Sequence, residues 1–246
     1  MIDTHAHLDA LDDPDAAVAR AAEAGVARIL TVGTTVEGCR TALELADAHE
    51  GVFAILGIHP HEAASEGRRL GELEPLLRHP SAVAVGETGL DFYRDLSPRT
   101  EQRTVFESEL ALAEQLGKPV VVHTREADED TLDVLRSFGG TVVLHCFSSA
   151  GLLPVALERG YYVSFAGNLT YPSASELRLA AAQVPADRLL AETDCPYLAP
   201  QPVRGQTNEP ANVMHTLAGL AAARGDDPVE LEGQIESNAK VAFQLP

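Results

Sequence analysis

Eight short apolar runs, rich in Val, Ile, Leu and Ala, recur along the 246 residues and alternate with amphipathic helical stretches. Strands buried on both faces read as continuous apolar runs, so this alternation predicts a parallel sheet covered by helices. The runs lie near residues 1–7, 27–33, 52–58, 82–87, 119–123, 141–146, 161–166 and 188–194. Between them, Val36, Cys39, Leu43 and Ala46 follow helical spacing, as do Phe106, Leu110 and Ala113. Pro80 precedes one strand and Pro119 opens another, where a missing amide hydrogen is tolerated. Two further helical segments, about 209–224 and 228–243, finish the chain. A doubly wound open sheet would alternate in the same way. Eight βα units in this length, with no GxGxxG turn, instead predict a (β/α)8 TIM barrel occupying residues 1–246 as a single domain.

A hydrophobic content of 45% suits a soluble globular protein. No apolar run approaches the roughly eighteen residues needed to span a bilayer. The start, Met-Ile-Asp-Thr-His, carries neither a basic segment nor an apolar signal core, so a cytoplasmic location is expected, without a membrane and without an obligatory protein partner. Cys39, Cys146 and Cys195 are odd in number and form no CxxC spacing, against both a disulfide framework and a thiolate zinc knuckle. The net charge of −19 is the opposite of a protein that coats nucleic acid. Bound divalent cations and a few local arginines would reverse the potential at one cleft while the outer surface stays acidic.

Five of the eight strands end in potential metal ligands, on the side where a barrel of this kind carries its chemistry. His5 and His7 are two apart at the end of the first strand, so both project to one face. An amino-terminal polar ornament is the bland alternative for one histidine, and it is weaker for a pair. His123 and His145 each close an apolar strand; singly, either could be a hydrogen-bonded core histidine, and together they suit an ion. Glu87 follows Ala-Val-Ala-Val-Gly and Asp194 closes Arg-Leu-Leu-Ala-Glu-Thr. A buried carboxylate needs a metal or a basic partner, so a lumenal arginine is the alternative for both. Four histidines with two carboxylates suit zinc, manganese, cobalt, nickel or, with waters, magnesium. Asp3 and Glu192 lie two residues before His5 and Asp194 and are expected one layer deeper, as supporting groups or as polar packing. His59 and His61 end the third strand; His59 is the participant expected there, and His61 reads as a loop histidine.

The motifs IDTHAHLD, GIHPH, GETGLDFYR, VVVHTRE, LHCFS, ETDCPYLAP and NEP, in this order, closely resemble those of the TatD-type deoxyribonucleases. The likeness runs nearly end to end. It implies a dinuclear metal phosphodiesterase acting on DNA and trimming from the 3′ end. The two divalent ions expected are Mg, Mn or Zn, activating a water. The polar loop from Leu198 to Pro210, with the segment after GETGLDFYR, would favour single strands or 3′ ends by blocking continuous duplex. By that likeness His5 and His7 would hold one ion with Asp194, His123 and His145 the second, and Glu87 both. Asp194, Glu87 and His59 would serve catalysis, with His59 approaching the scissile phosphate. Arg94, Arg125 and Arg204 would hold flanking phosphates. Thr124, Ser149 and Thr207 depart from the commonest form of these motifs, and no implied ligand changes. The rival reading keeps the metals and changes the substrate: a small amide, ester or phosphoester, or an aminoacyl-tRNA to be deacylated.

Overall fold

The computed structural model describes residues 1–246. Its strands are β1 (Ile2–Ala6), β2 (Arg28–Gly33), β3 (Val52–Leu56), β4 (Ala82–Asp91), β5 (Val120–Arg125), β6 (Val142–Leu144), β7 (Tyr162–Phe165) and β8 (Leu189–Ala191). Strand order follows chain order from β1 to β8, and the registers are parallel. Parallel strands in chain order with helices between them are the arrangement of a (β/α)8 barrel, as expected. β4 and β5 run past their expected ends, to Asp91 and Arg125, because Thr88, Gly89, Leu90 and Asp91 continue to pair with Val122, His123, Thr124 and Arg125.

Three of the helices, those starting at Pro14, Val36 and Pro228, begin where a side chain accepts their unpaired amides. The Asp13 carboxylate accepts the Ala16 amide, the Thr35 hydroxyl accepts that of Gly38, and the Asp227 carboxylate accepts those of Val229 and Glu230. Pro14 and Pro228 occupy first-turn positions, where no amide hydrogen is needed. Helix Arg99–Leu116 stops at Gly117, whose φ of 64° is the left-handed conformation that suits glycine. No helix is long and apolar enough to cross a membrane.

The chain comprises two compact units. In Met1–Thr31 with His145–Pro246, β1 pairs with β2 and β7 with β8, around fully buried Ile2, Leu30, Phe165, Leu189 and Phe243. In Val32–Leu144, β3, β4, β5 and β6 lie side by side, and helix Arg99–Leu116 packs on β4 with Phe106 fully buried. Burial of one such aromatic contributes about 2–3 kcal/mol.

Candidate metal centre

In the first unit, the end of β1 is tied to the segment that follows β8. The Asp194 amide donates to the His5 carbonyl at 2.9 Å and the His7 amide to the Cys195 carbonyl at 2.8 Å. This pairing sets two imidazoles beside one carboxylate: His7 Nε2 lies 3.4 Å and His5 Nε2 4.0 Å from Asp194 Oδ1. One ligating atom from each of the three lies within 4.8 Å of the others. Burial opposes ionisation of Asp194, yet His7, His145 and His5 hold its carboxyl below the usual range.

Beneath this group, Asp3 accepts the Thr193 amide at 2.8 Å, the Thr193 hydroxyl at 2.5 Å and the His5 amide at 3.3 Å. Burial pushes the Asp3 carboxyl up to about 8, with those hydrogen bonds pulling against it. His145 stacks on His5, with ring centroids 4.0 Å apart, and its Nδ1 lies 3.2 Å from Glu192 Oε1. A carboxylate on Nδ1 fixes the proton there and makes Nε2 the basic nitrogen, the usual preparation of a metal-ligating histidine. Asp3 is thus bonded to Thr193 and His5, and Glu192 to the His145 ring and the Cys146 amide.

In the second unit, His123 Nδ1 lies 2.8 Å and His59 Nε2 3.3 Å from Glu87 Oε1. These three again offer ligating atoms within 4.8 Å. Gly89 faces His123 across the β4–β5 ladder with a φ of +136°, and an added Cβ would collide with the His123 carbonyl. Only glycine lets β5 approach closely enough to present His123 beside Glu87.

His59 and His123 are prepared differently. The His61 amide donates to His59 Nδ1 at 3.1 Å, so a neutral His59 ring carries its proton on Nε2. Burial presses the His59 pKa down to about 4, against the pull of Glu87, and the ring is neutral at physiological pH. With that tautomer His59 turns an N–H donor at Nε2 towards Glu87. His123 has Glu87 on one ring nitrogen and, on the other, Asp91 Oδ2 at 3.2 Å. Glu87 and the first nitrogen of His123 would together hold an ion, with Asp91 fixing the proton on the second nitrogen.

Asp91 had no assigned role in the sequence. Its Oδ2 also faces His61 Nε2 at 2.9 Å, and its Oδ1 accepts the amides of Tyr93 and Arg94 at 3.0 and 2.8 Å. Burial would raise its pKa, but the His123 ring, the Arg94 amide and His61 together hold it below the usual carboxylate range. Gln102 clamps the Asp91 backbone, accepting its amide at 2.9 Å and donating to the Ser97 carbonyl at 2.8 Å. His61 is thus no plain loop histidine, since its ring is engaged by a buried carboxylate. The signal was the period-two placing of Glu87, Gly89 and Asp91 on one strand.

Of the expected phosphate contacts, Arg94 is exposed on the turn after β4. Arg125 lies over the Tyr93 ring, 3.9 Å from its centroid, and Arg204 lies over Tyr171, donating to its hydroxyl at 2.6 Å.

Imidazole and carboxylate clusters following the strands of a (β/α)8 chain define a metal-dependent hydrolase. The family model described as TatD related DNase matches residues 2–244, and the chain belongs to that family. It is 40% identical to the "Uncharacterized metal-dependent hydrolase TatD" of Mycobacterium tuberculosis, over 100% of this chain and 98% of the relative. It is 36% identical to the "3′-5′ ssDNA/RNA exonuclease TatD" of Klebsiella pneumoniae, over 95% of this chain and 92% of that protein. The crystal structure of YJJV, a TatD homologue from Escherichia coli, superposes with a TM-score of 0.95 at 31% identity, covering 100% of this chain and 98% of the other.

Proposed function

We propose that this protein hydrolyses phosphodiester bonds of single-stranded DNA from the 3′ end, with two divalent ions, one held in each unit. The observation that carries this reading is the convergence, in each unit, of imidazoles on a carboxylate: His5 and His7 on Asp194, and His123 on Glu87. The mixed nitrogen and oxygen donors fit Zn or Mn, and Mg if water completes the shell. His145, its Nδ1 occupied by Glu192, adds a basic nitrogen beside His5. Ions held there would supply a nucleophilic water at neutral pH and polarisation of the phosphoryl oxygens.

The side chains supply the remainder. His59, neutral and protonated on Nε2, donates a hydrogen bond to a phosphoryl oxygen as charge develops there. Asp194, held ionised, accepts or positions the proton of the attacking water. Asp91 keeps the His123 ring in one tautomer and orientation. Exonuclease relatives at 36–38% identity support a nucleic-acid substrate.

The net charge of −19 favours a second reading, in which the same residues open a small amide or ester or deacylate an aminoacyl-tRNA. The two separate when metal-stripped protein is given 3′-labelled and 5′-labelled single-stranded DNA with Mg, Mn or Zn in turn, with His123→Ala as control. Metal-dependent shortening from the 3′ end by the wild type alone supports the exonuclease. Intact DNA under every metal, with turnover of an amide or ester panel, overturns it.

A further inference from the structure

The turn that follows β4 lifts a large aromatic side chain into solvent beside the second cluster. Tyr93 is 58% exposed although its backbone is anchored, its amide donating to buried Asp91 at 3.0 Å. Folding alone gains little from a tyrosine left mostly in water. One face of the ring is covered by the Arg125 guanidinium, 3.9 Å from the centroid. Arg125 is held in turn by the strand ladder: it is the register partner of Asp91, and the Phe92 amide donates to its carbonyl at 2.9 Å. Ring and guanidinium are therefore both fixed to Asp91, the residue whose other oxygen faces His123 and His61.

We propose that Tyr93, backed by Arg125, is a stacking platform for one nucleobase of a single-stranded DNA substrate. This rests on the phosphodiesterase reading above and adds where a base is held. A flat ring with one face covered by a cation and most of its surface in water accepts any base on its other face, because every base has a π-face and none needs a particular hydrogen-bonding edge. The guanidinium places positive charge next to the polyanionic backbone in a chain that is acidic overall. Arg125, expected from the motifs to hold a phosphate, then acts on the base side through the tyrosine.

Two measurements test the proposal. The first compares oligothymidylate with a tetrahydrofuran abasic oligomer of the same length, which has the same phosphates and no bases. Base stacking on an aromatic is worth about 1–3 kcal/mol, or roughly 5-fold to 150-fold. Tyr93→Ala should lower the ratio of kcat/KM for the two oligomers about tenfold through KM on oligothymidylate, and Tyr93→Phe should restore it. An unchanged ratio in Tyr93→Ala overturns the platform while leaving the exonuclease standing. The second uses Tyr93→Trp, which is a lone fluorescent reporter because the chain has no tryptophan. Its emission should be quenched by oligothymidylate and not by the abasic oligomer. If the wild type cleaves neither oligomer, the exonuclease reading fails and this titration still decides: base-dependent quenching upholds the platform, and equal or absent quenching overturns it.

Discussion

Glu109 is fully buried on helix Arg99–Leu116, and replacing it with glutamine should remove a pH-dependent penalty from the fold. Its Oε1 accepts the Ile58 amide at 2.7 Å, and the Thr88 hydroxyl also favours its charged form. Ile58 adjoins His59, so this carboxyl braces the backbone just before that ring. Burial pushes its pKa from 4.5 up to about 8, with the Ile58 amide and the nearby Thr88 hydroxyl pulling against the rise. The folded protein therefore keeps a proton that the unfolded chain releases near pH 4.5. Stability relative to the neutral Glu109→Gln protein is fully retained below that pH, declines as pH rises, and has fallen by about 5 kcal/mol once pH passes about 8. Equilibrium urea unfolding of metal-stripped wild type and Glu109→Gln should show the difference between them widening by about 4 kcal/mol from pH 5 to pH 9. Groups common to both proteins cancel in that comparison. Curves that stay parallel within about 1 kcal/mol over this range would show that Glu109 is not held neutral by its burial.

Asp91→Asn should leave the fold in place while replacing the carboxylate on His123 with a neutral amide, so metal affinity measured by calorimetric titration with Mn should fall about 10–100-fold. Asp194→Asn should remain folded by circular dichroism while turnover on single-stranded DNA drops on the order of 100-fold or more; near-normal turnover rejects its assignment. Gly89→Ala, which drives a Cβ into the His123 carbonyl at positive φ, should cost about 3 kcal/mol or more in urea unfolding.

What the sequence made legible follows from where strands end. His5, His7, Glu87, His123 and Asp194 could be singled out as candidate ligands because each follows or closes an apolar run, and apolar runs are the strongest local signal of a buried strand. Asp91 was missed because glycine inside a strand usually marks its end, and Gly89 stands four residues after Val85 in a run that is no longer apolar. The register shows the other meaning of that glycine: β4 continues because β5 must come close. Glu109 was missed for a different reason. A charged residue on a helix is taken to face solvent, yet its spacing of three from Phe106 and four from Val105 puts it on the apolar face. The distinct roles of His59 and His123 rest on which nitrogen meets which neighbour, and that depends on contacts distant in the chain, as with Asp91 beneath His123.

The same contacts explain why Asp91 sits at the last position of a strand rather than in the turn beyond it. As a strand residue paired with Arg125, its backbone is fixed by the ladder and by Gln102, so its two oxygens have fixed directions. Oδ2 is directed to the His61 and His123 rings and Oδ1 to the Tyr93 and Arg94 amides. Ionised and saturated with donors, it keeps a histidine tautomer on one side and shapes a solvent-exposed turn on the other. A carboxylate used in this way ties the orientation of a candidate metal ligand, His123, to the position of the Tyr93 backbone through two bonds of a single side chain. Loss of Asp91 should therefore impair both, whereas loss of Tyr93 leaves His123 with its partner.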